Sequence, residues 1–262
     1  MKLKTYIINL EKSTVRKQYM QQLLSAYGFL DIEFIQAIDG RSLSDPERRA
    51  RFNYRKSLAL YGKELNAGEV GCVLSHRKVY EGLLADHTHE YALVFEDDIS
   101  ISRDLHALNL STIDEVMRCD RPRALMLSGD YCYYRKKSIT RIYSAVGAYA
   151  YVINKAAAKT ILSVNPPCYV ADDWIFFKRK GLKLFAIRPY LVDANTNMEL
   201  LGSDVKQDDW GINRKRMSLI ENVRRAFTGF TERMFRLFNH FEYKVRIYNN
   251  TIVEPLKNPF NF

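Results

Sequence analysis

The chain has 262 residues, of which 47% are hydrophobic and 13% aromatic, and its formal net charge is +10. This length and composition predict one large α/β domain, alone or with an appendage, and exclude a low-complexity or repeat protein. No apolar run approaches the roughly 20 residues of a membrane span, and the apolar segment that opens the chain is too short for a signal peptide. The four cysteines have neither metal-binding nor disulfide-framework spacing. We therefore expect a reduced, cytoplasmic protein.

Strand and helix patterns alternate along the chain. Strands are predicted at residues 6–10, 32–35, 91–95, 123–127 and 182–187, with a pair of short strands within 143–153. Helices are predicted at residues 13–27, from 67 to about 84, around 113–117, at 154–162 and after 173. Residues 44–63 are predicted to form short helices or a mobile loop, and residues 131–137 an exposed loop. This alternation predicts an α/β sheet with an active site at the carboxyl ends of its strands.

The stretch from Tyr91 to Ile99 organises the rest of the sequence. Five apolar or aromatic residues run directly into the three carboxylates Glu96, Asp97 and Asp98. The uninterrupted apolar run predicts a central strand covered on both faces. Side chains two apart on a strand point the same way, so Glu96 and Asp98 face one point while Asp97 turns aside. Two hard oxygen ligands suit Mg²⁺ or Mn²⁺; a solvated acidic turn after an edge strand is the alternative.

Three further candidates have an ordinary structural explanation beside the functional one. Arg16, in the first turns of the first helix, would contact a phosphate or simply be solvated. Asp39, in an Asp-Gly turn, would contact a ribose or only shape the turn. His76 shares the inward face of the long helix that begins at Ala67, so it is a core histidine or part of a pocket.

Acids also stand at two other element boundaries. Asp130 ends the apolar run that starts at Arg123, and its position would be near the first acidic cluster if the two strands are neighbours. Asp172 and Asp173 open a hydrophobic helix. Such a pair is either an N-terminal cap favoured by the helix dipole or the source of a general base.

The positive charge is concentrated near the carboxyl terminus. Between Trp210 and Arg246 there are nine Lys/Arg against three Glu. One apolar stripe at three-four spacing combines Ile220, Val223, Phe227, Phe230, Met234, Leu237 and Phe241. The segment is predicted to be a basic amphipathic helix that lies on an anionic membrane surface, or that forms a homodimer seam. We therefore divide the chain into a catalytic domain at 1–210 and a C-terminal extension at 211–262, and exclude a nucleic-acid groove across the molecule.

Four short motifs occur in a fixed order. They are Ile8-Asn9-Leu10, Ala37-Ile38-Asp39-Gly40, Gly68-Glu69-Val70-Gly71-Cys72-Val73-Leu74-Ser75-His76 and Val94-Phe95-Glu96-Asp97-Asp98. Further matches are Gly147-Ala148-Tyr149, Asn154-Lys155-Ala156, the segment around Asp173, and Gly202-Ser203-Asp204 before the basic helix. Together, to about Phe241, they resemble glycosyltransferase family 25, the lipooligosaccharide galactosyltransferases of Gram-negative bacteria.

The resemblance implies a GT-A type fold, a UDP-sugar donor that is most often UDP-galactose, and an inverting reaction that leaves a β-linkage. It also implies a lipooligosaccharide or other glycolipid acceptor, which places the protein peripherally at the inner membrane. Glu96 and Asp98 match the acidic motif that holds the metal, expected to be Mn²⁺ or Mg²⁺. The residues expected to bind the donor are Ile8, Asn9, Leu10, Arg16, Asp39, Ser75, His76, Glu96, Asp97 and Asp98. One departure is that the family's basic run after Asn-Leu is here Glu11-Lys12-Ser13, which leaves Arg16 for an early phosphate contact.

Inversion requires a base on the opposite face of the sugar to take the acceptor's proton. We expect Asp173 to be that base, with Asp172 and Asp130 as the next candidates, because Asp97 is better placed to touch the donor sugar. The competing interpretation is a non-catalytic, membrane-associated nucleotide- or sugar-binding protein on a degenerate transferase fold. A nucleotidyltransferase is disfavoured because the N-terminal sequence has no glycine-rich phosphate loop.

Overall fold

The structure is a computed structural model of the chain that describes residues 2–128, 131–133, 138–195, 245–248 and 251–255. Its strands are β1 (Leu3–Asn9), β2 (Leu30–Gln36), β3 (Tyr91–Glu96), β4 (Ile99–Ile101), β5 (Arg123–Met126), β6 (Tyr131–Tyr133), β7 (Ile139–Ala145), β8 (Ala150–Asn154), β9 (Lys183–Ile187), β10 (Val192–Ala194), β11 (Val245–Tyr248) and β12 (Thr251–Pro255). Its α-helices are α1 (Thr14–Leu24), α2 (Asp45–Arg51), α3 (Tyr54–Tyr61), α4 (Ala67–Ala85), α5 (Leu110–Met117), α6 (Lys155–Leu162) and α7 (Trp174–Arg179), and a 3₁₀ turn spans Leu105–Ala107.

Ten of the described strands form one mixed sheet in the order β12-β11-β6-β7-β9-β5-β8-β3-β1-β2, and β4 pairs with β10 in a second, two-stranded sheet. In the central part, β1 lies between β2 and β3 and is parallel to both. The neighbouring β8 runs antiparallel to β3 and β5, and β5 is parallel to β9. The carboxyl ends of β1 and β3 therefore meet at one edge of the sheet, and the predicted α/β class is confirmed.

Both faces of the sheet are covered by helices. One hydrophobic core includes side chains of α4, α6 and α7, and the other includes side chains of α1 and α5. Strand β3 contributes Ala92 and Val94 to the first core and Leu93 and Phe95 to the second, all with no exposed surface. Each fully buried large side chain contributes roughly 1.5–3 kcal/mol to folding. The prediction of a central strand buried on both faces is confirmed, which excludes an edge strand for the acidic motif.

Two predicted loops contain regular structure. Residues 44–63 contain the short helices α2 and α3. Short helices were one of the two alternatives predicted for this segment. The prediction of an exposed loop over 131–137 is wrong at β6, which pairs with β7 and with β11. A three-residue strand is too short for its period to be recognised, and β11, one of its two partners, lies far along the chain.

The basic amphipathic helix predicted within 211–262 lies outside the described residues. From that part of the chain, β11 and β12 extend the large sheet beyond β6. The boundary at residue 210 therefore stays a prediction. Among the described residues, no helix combines the length and hydropathy that a membrane crossing requires.

Two glycines of the predicted motifs hold α4 against the turn that follows β2. A Cβ on Gly71 would lie 2.5 Å from the backbone nitrogen of Gly40 and 2.6 Å from the carbonyl oxygen of Ile38. A Cβ on Gly40 would lie 1.8 Å from the carbonyl oxygen of Ala67. Neither neighbour is a flexible side chain that could move aside. The two glycines are thus required by the close approach of two backbones.

Gly71→Ala should lower the free energy of unfolding, because overpacking costs about 1–3 kcal/mol and the better helix propensity of alanine returns at most about 1 kcal/mol. Urea unfolding measures the change. The matched control is Gly82→Ala in the same helix, where the new Cβ would have its closest contact with the Tyr6 hydroxyl oxygen at 3.7 Å. The control should be neutral or slightly stabilising. Equal stability of the two variants would contradict the close-approach explanation.

Candidate active site

The candidate site lies where β1 and β3 end. Ile8 pairs with Glu96 across the two parallel strands, so the residues that follow both strands emerge side by side. After Glu96 the chain makes a turn at Asp97 and Asp98 and continues into β4. The acids therefore sit at the carboxyl edge of the sheet, where the sequence places the active site.

Asp97 is buried, and its carboxylate is satisfied from the first strand and helix. It accepts a hydrogen bond of 2.6 Å from the Asn9 side-chain amide and one of 2.9 Å from the Arg16 guanidinium. Asn9 also donates to the backbone carbonyl of Ser13, at 3.1 Å. Burial raises the pKa of Asp97, and the bonds from Asn9 and Arg16 oppose that rise. Asn9, Arg16 and Asp97 thus form one buried unit that joins β1, α1 and the end of β3.

Glu96 and Asp98 remain partly open to solvent, with side chains 30% and 29% exposed. Arg16 lies 3.5 Å from an oxygen of Asp98. Partial burial and the neighbouring charge of Glu96 raise the pKa of Asp98 to about 7, with Arg16 opposing the shift. The three carboxylates therefore carry more negative charge than the Arg16 guanidinium neutralises. Two solvent-accessible carboxylates that repel one another are a donor set that fits a hard divalent cation.

His76 is buried and ties Glu96 to the protein core. Its Nε2 lies 3.0 Å from Oε1 of Glu96, and its Nδ1 lies 2.7 Å from the Tyr151 hydroxyl. The Tyr151 hydroxyl is in turn 2.8 Å from that of Tyr80. A continuous hydrogen-bonded chain thus runs from the core to the acidic cluster. His76 is therefore a core histidine whose Nε2 contacts Glu96, and its role in binding the donor stays a prediction.

Two other residues expected to bind the donor make structural contacts. The Ser75 hydroxyl donates to the carbonyl of Gly71 at 2.7 Å and accepts from the backbone N–H of Ile38 at 2.8 Å, so it fastens α4 to the turn after β2. Asp39 is held by Arg41 and Lys12, and their hydrogen bonds keep the pKa of its carboxyl well below the usual range. The roles of Ser75 and Asp39 in donor binding stay predictions.

Ile8 is buried and Leu10 half-buried at the end of β1. Their position beside Asn9 places them at the predicted edge of the sheet. Asp130, the third candidate for the base, lies outside the described residues.

The paired acids before α7 have different surroundings. Asp173 is the N-cap of α7, where it accepts from the backbone N–H of Phe176 at 2.9 Å and from the Tyr61 hydroxyl at 2.7 Å. Asp172 is half-buried and accepts a hydrogen bond of 3.1 Å from the backbone N–H of Gly147. Burial, with a smaller contribution from the charge of Glu96, raises the pKa of Asp172. Asp172 therefore lies within electrostatic range of the acidic cluster, while both oxygens of Asp173 have protein partners.

The loop that supports Asp172 was not identified as a unit from sequence. Gly147 has a left-handed backbone with φ of 76°, which favours glycine. Its carbonyl accepts a bond of 2.8 Å from the Trp174 indole N–H, while its own N–H holds Asp172. The glycine matched as part of a motif is thus the anchor between β7, β8 and the start of α7.

Cys72 is a neighbour of the acidic cluster that sequence reasoning missed. Its thiol lies within 4.8 Å of the ligand atoms of His76 and Glu96. Burial, together with the charges of Glu96, Asp172 and Asp98, raises the pKa of the Cys72 thiol well above its usual range. The available signal was the four-residue spacing of Cys72 and His76, which places both on one face of α4.

Arg16→Met should lower the free energy of unfolding by roughly 3–5 kcal/mol, because it leaves the Asp97 carboxylate buried without its cation. Urea unfolding at neutral pH measures the loss. Arg49→Met is the control, since the Arg49–Asp45 ion pair is 2.7 Å long but more than half exposed on both sides and should contribute less than about 1 kcal/mol. A loss from Arg16→Met as small as that of the control would mean that Asn9 alone satisfies Asp97.

Comparisons with known proteins agree on one family. A family model described as glycosyltransferase family 25 (LPS biosynthesis protein) matches residues 2–176. A glycosyltransferase 25 family member of Aedes aegypti is 38% identical over 97 residues, which are 36% of this chain and 16% of the mosquito protein. Human procollagen galactosyltransferase 2 is 22% identical over 217 residues, 71% of this chain and 34% of the human one. A Haemophilus influenzae protein named "Putative glycosyltransferase" is 22% identical over 249 residues, 88% of this chain and 86% of the bacterial one.

Among solved structures, galactosyltransferase LgtC in complex with donor and acceptor sugar analogs has a TM-score of 0.36 and 12% identity, over 70% of this chain and 73% of LgtC. A UDP-glucose pyrophosphorylase complexed with UDP-glucose has a TM-score of 0.37 and 12% identity, over 71% and 90% of the two chains. The insect relatives are matched over less than a fifth of their own length. The family model, however, spans well over half of the chain, and the chain belongs to glycosyltransferase family 25.

Proposed function

We propose that this protein is an inverting, metal-dependent glycosyltransferase that moves galactose from UDP-galactose onto a saccharide of lipooligosaccharide type. The observation that carries the proposal is the carboxylate cluster at the ends of β1 and β3. Arg16 is committed to Asp97 at 2.9 Å, and it reaches Asp98 only at 3.5 Å. A divalent cation bound to a nucleoside diphosphate would neutralise the excess negative charge of these carboxylates.

Glu96 and Asp98 are the residues that would hold the metal. When bound, the ion would act as a Lewis acid that stabilises the negative charge on the departing diphosphate. His76 fixes the orientation of Glu96 through its 3.0 Å contact, and Asn9 and Arg16 hold Asp97 in place from the other side. The protein thus contributes a pre-positioned pair of ligands with supports on both flanks.

Asp172 is the base that the surroundings favour. In an inverting transfer the acceptor hydroxyl oxygen attacks the anomeric carbon, the bond from the sugar to UDP breaks, and the hydroxyl proton passes to a carboxylate. A raised pKa makes a carboxylate a stronger proton acceptor, and Asp172 has one. Asp173, preferred from the sequence, is instead engaged by the N-terminus of α7 and by Tyr61. We therefore rank Asp172 before Asp173, and Asp130 remains a candidate.

The choice of galactose is supported by the names of relatives, since the human and mouse matches are procollagen galactosyltransferases. The test is a panel of UDP-galactose, UDP-glucose and UDP-N-acetylglucosamine with Mn²⁺ or with EDTA, followed by thermal shift and donor hydrolysis. UDP-galactose with Mn²⁺ should give the largest rise in melting temperature and the fastest hydrolysis, and EDTA should remove both. Stabilisation without hydrolysis or transfer would favour the non-catalytic binding protein. A thermal shift and hydrolysis that persist in EDTA would overturn metal dependence.

The basic segment at 211–262 supports a membrane-bound acceptor, and we propose that it docks on an anionic inner-membrane surface. A glycolipid acceptor would remain in the membrane while its sugars reach the active site. Each Lys or Arg near an anionic leaflet contributes roughly 1 kcal/mol, which salt screens. Sedimentation with anionic liposomes should therefore weaken along a salt series, and neutral liposomes should not bind. Equal binding to both kinds of liposome, or unchanged binding after truncation at residue 213, would overturn membrane docking by this segment.

A further inference from the structure

Cys72, His76 and Glu96 bring three different donor atoms together beside the acidic cluster. The thiol sulfur, an imidazole nitrogen and a carboxylate oxygen all lie within 4.8 Å of one another. Cys72 and His76 lie on one face of α4, and Glu96 ends β3, so the group is assembled by packing of the helix on the sheet. Hydrogen bonding accounts for His76 and Glu96, whereas the proposed sugar transfer gives the Cys72 thiol no role.

We propose that Cys72, His76 and Glu96 form a second metal site, selective for a thiophilic divalent cation, with Zn²⁺ as its preferred occupant. Carboxylate oxygens alone favour Mg²⁺ and Mn²⁺, whereas thiolate and imidazole ligands favour Zn²⁺. The two proposed sites differ in chemistry but have Glu96 in common. Zn²⁺ binding at this site does not depend on the proposed sugar transfer.

The spacing of the ligands is close to what zinc requires. Two nitrogen or oxygen ligands about 2.0–2.1 Å from a tetrahedral Zn²⁺ lie about 3.3 Å from each other. The observed distance from His76 Nε2 to Glu96 Oε1 is 3.0 Å. A sulfur about 2.3 Å from the ion would lie about 3.6 Å from either of them, against an upper limit of 4.8 Å here. Side-chain movements of about 1 Å therefore close the site.

The hydrogen-bonded chain behind His76 provides the support that a metal-bound imidazole needs. Binding through Nε2 requires the proton to be on Nδ1, where it can be donated to the Tyr151 hydroxyl at 2.7 Å. Tyr151 can then donate to the Tyr80 hydroxyl at 2.8 Å, so His76 and Tyr151 both keep an acceptor. Such a partner fixes the ring and raises the basicity of the ligand. In the metal-free state the direction of these hydrogen bonds is reversed: His76 Nε2 donates to Glu96, and His76 Nδ1 accepts from the Tyr151 hydroxyl.

The site is accessible to an ion. Cys72 is half-buried and the Glu96 side chain is 30% exposed, so two of the three ligand residues have solvent-accessible surface. Binding forms a sulfur–zinc bond and releases the thiol proton to the buffer. Three protein ligands would leave a fourth position for water, as in zinc sites that are not purely structural.

Co²⁺ is the probe for this site, because a thiolate bound to cobalt gives an intense near-ultraviolet band that oxygen ligands do not give. Wild-type protein titrated with Co²⁺ in the absence of donor should develop this band and reach saturation at one equivalent, and Zn²⁺ should abolish it. Cys72→Ser should lose the band and weaken Zn²⁺ binding by more than the roughly 10–100-fold typical of a lost supporting residue. Cys119→Ser is the matched control, since Cys119 has the same class of exposure and should behave as wild type.

Tyr151→Phe removes the hydrogen-bond partner of His76 without removing a metal ligand. It should keep the cobalt–thiolate band while weakening Zn²⁺ affinity roughly 10–100-fold, and circular dichroism checks that each variant is folded. Absence of the band in wild type, or its survival in Cys72→Ser, would overturn the proposal.

Shared use of Glu96 predicts competition, and this arm alone depends on the proposed function. Zn²⁺ should inhibit Mn²⁺-dependent transfer in the wild type and much less in Cys72→Ser, each rate being compared with that variant's own zinc-free rate. A cobalt band without inhibition would retain the site and refute the competition. Inhibition that is equal in the two proteins would place the inhibitory ion elsewhere.

Discussion

Asp172→Asn is expected to slow sugar transfer about 10²- to 10⁴-fold, the usual contribution of a general base, while the affinity for the nucleotide-sugar stays nearly unchanged. The reason is that the amide cannot take the acceptor's proton, whereas its oxygen can still accept the N–H of Gly147. Transfer rates at saturating donor, together with donor affinity from calorimetry, measure the two quantities separately. The fold should be retained, since only one atom of a half-buried side chain changes.

Asp173→Asn is the matched comparison. Asparagine caps helices as well as aspartate, so the amide oxygen can keep the bond from Phe176 while the Tyr61 hydroxyl turns to accept from the amide nitrogen. We expect less than about 1 kcal/mol of lost stability and a rate within a few-fold of wild type. A crippled, folded Asp173→Asn variant beside an active Asp172→Asn variant would restore the preference drawn from the sequence. Full activity of both variants would favour Asp130 as the base.

Asp98→Asn is expected to abolish Mn²⁺-dependent transfer and the Mn²⁺-dependent part of the thermal shift. It should at the same time leave the metal-free protein as stable as wild type, or more so, at pH 8. The sign follows from the pKa of about 7 in the folded state, which exceeds the ordinary value of an aspartate in the unfolded chain. Above pH 4 the unfolded chain ionises this group first, so the acid destabilises the fold increasingly as the pH rises to about 7. Asparagine removes that unfavourable charge together with one metal ligand.

Thermal melts from pH 5 to pH 8 in EDTA test the stability half of this prediction, since the advantage of Asp98→Asn should grow with pH. Asp31→Asn is the control, because Asp31 lies at the amino end of β2, opposite the site, in a 3.4 Å pair with Lys4. It should keep both transfer and the Mn²⁺ response. Normal metal-dependent transfer by Asp98→Asn would remove this residue from the metal site.

The features predicted correctly from the sequence are those set by local pattern. The apolar run of β3 determined its burial, and Asn154 was recognised as a cap, which accepts from the N–H of Ala157 at 3.0 Å. Helix α4 begins at Ala67, where its apolar spacing starts. Periodicity and capping depend on residues a few positions apart, and these are visible in a single chain.

The features that were missed depend on contacts between distant segments. The partner of Asp97 is Arg16, 81 positions away, and the hydroxyl that occupies Asp173 is that of Tyr61, 112 positions away. Which of two adjacent acids is left available for chemistry is decided by such contacts, so the sequence could rank Asp172 and Asp173 only by analogy. The requirement for Gly71 is likewise created by Gly40 from another segment.

The burial of the Arg16–Asp97 pair has a consequence for how the protein responds to its ionic surroundings. Dissolved ions weaken attraction between charges that face the solvent and have little effect on charges enclosed by protein. The side chains of Arg16 and Asp97 are only 7% and 10% exposed, whereas those of Arg49 and Asp45 on α2 are 54% and 58% exposed. Concentrated salt should therefore weaken the Arg49–Asp45 pair and leave the Arg16–Asp97 pair largely intact. The end of β1 is thus held by a contact that is insensitive to ionic strength.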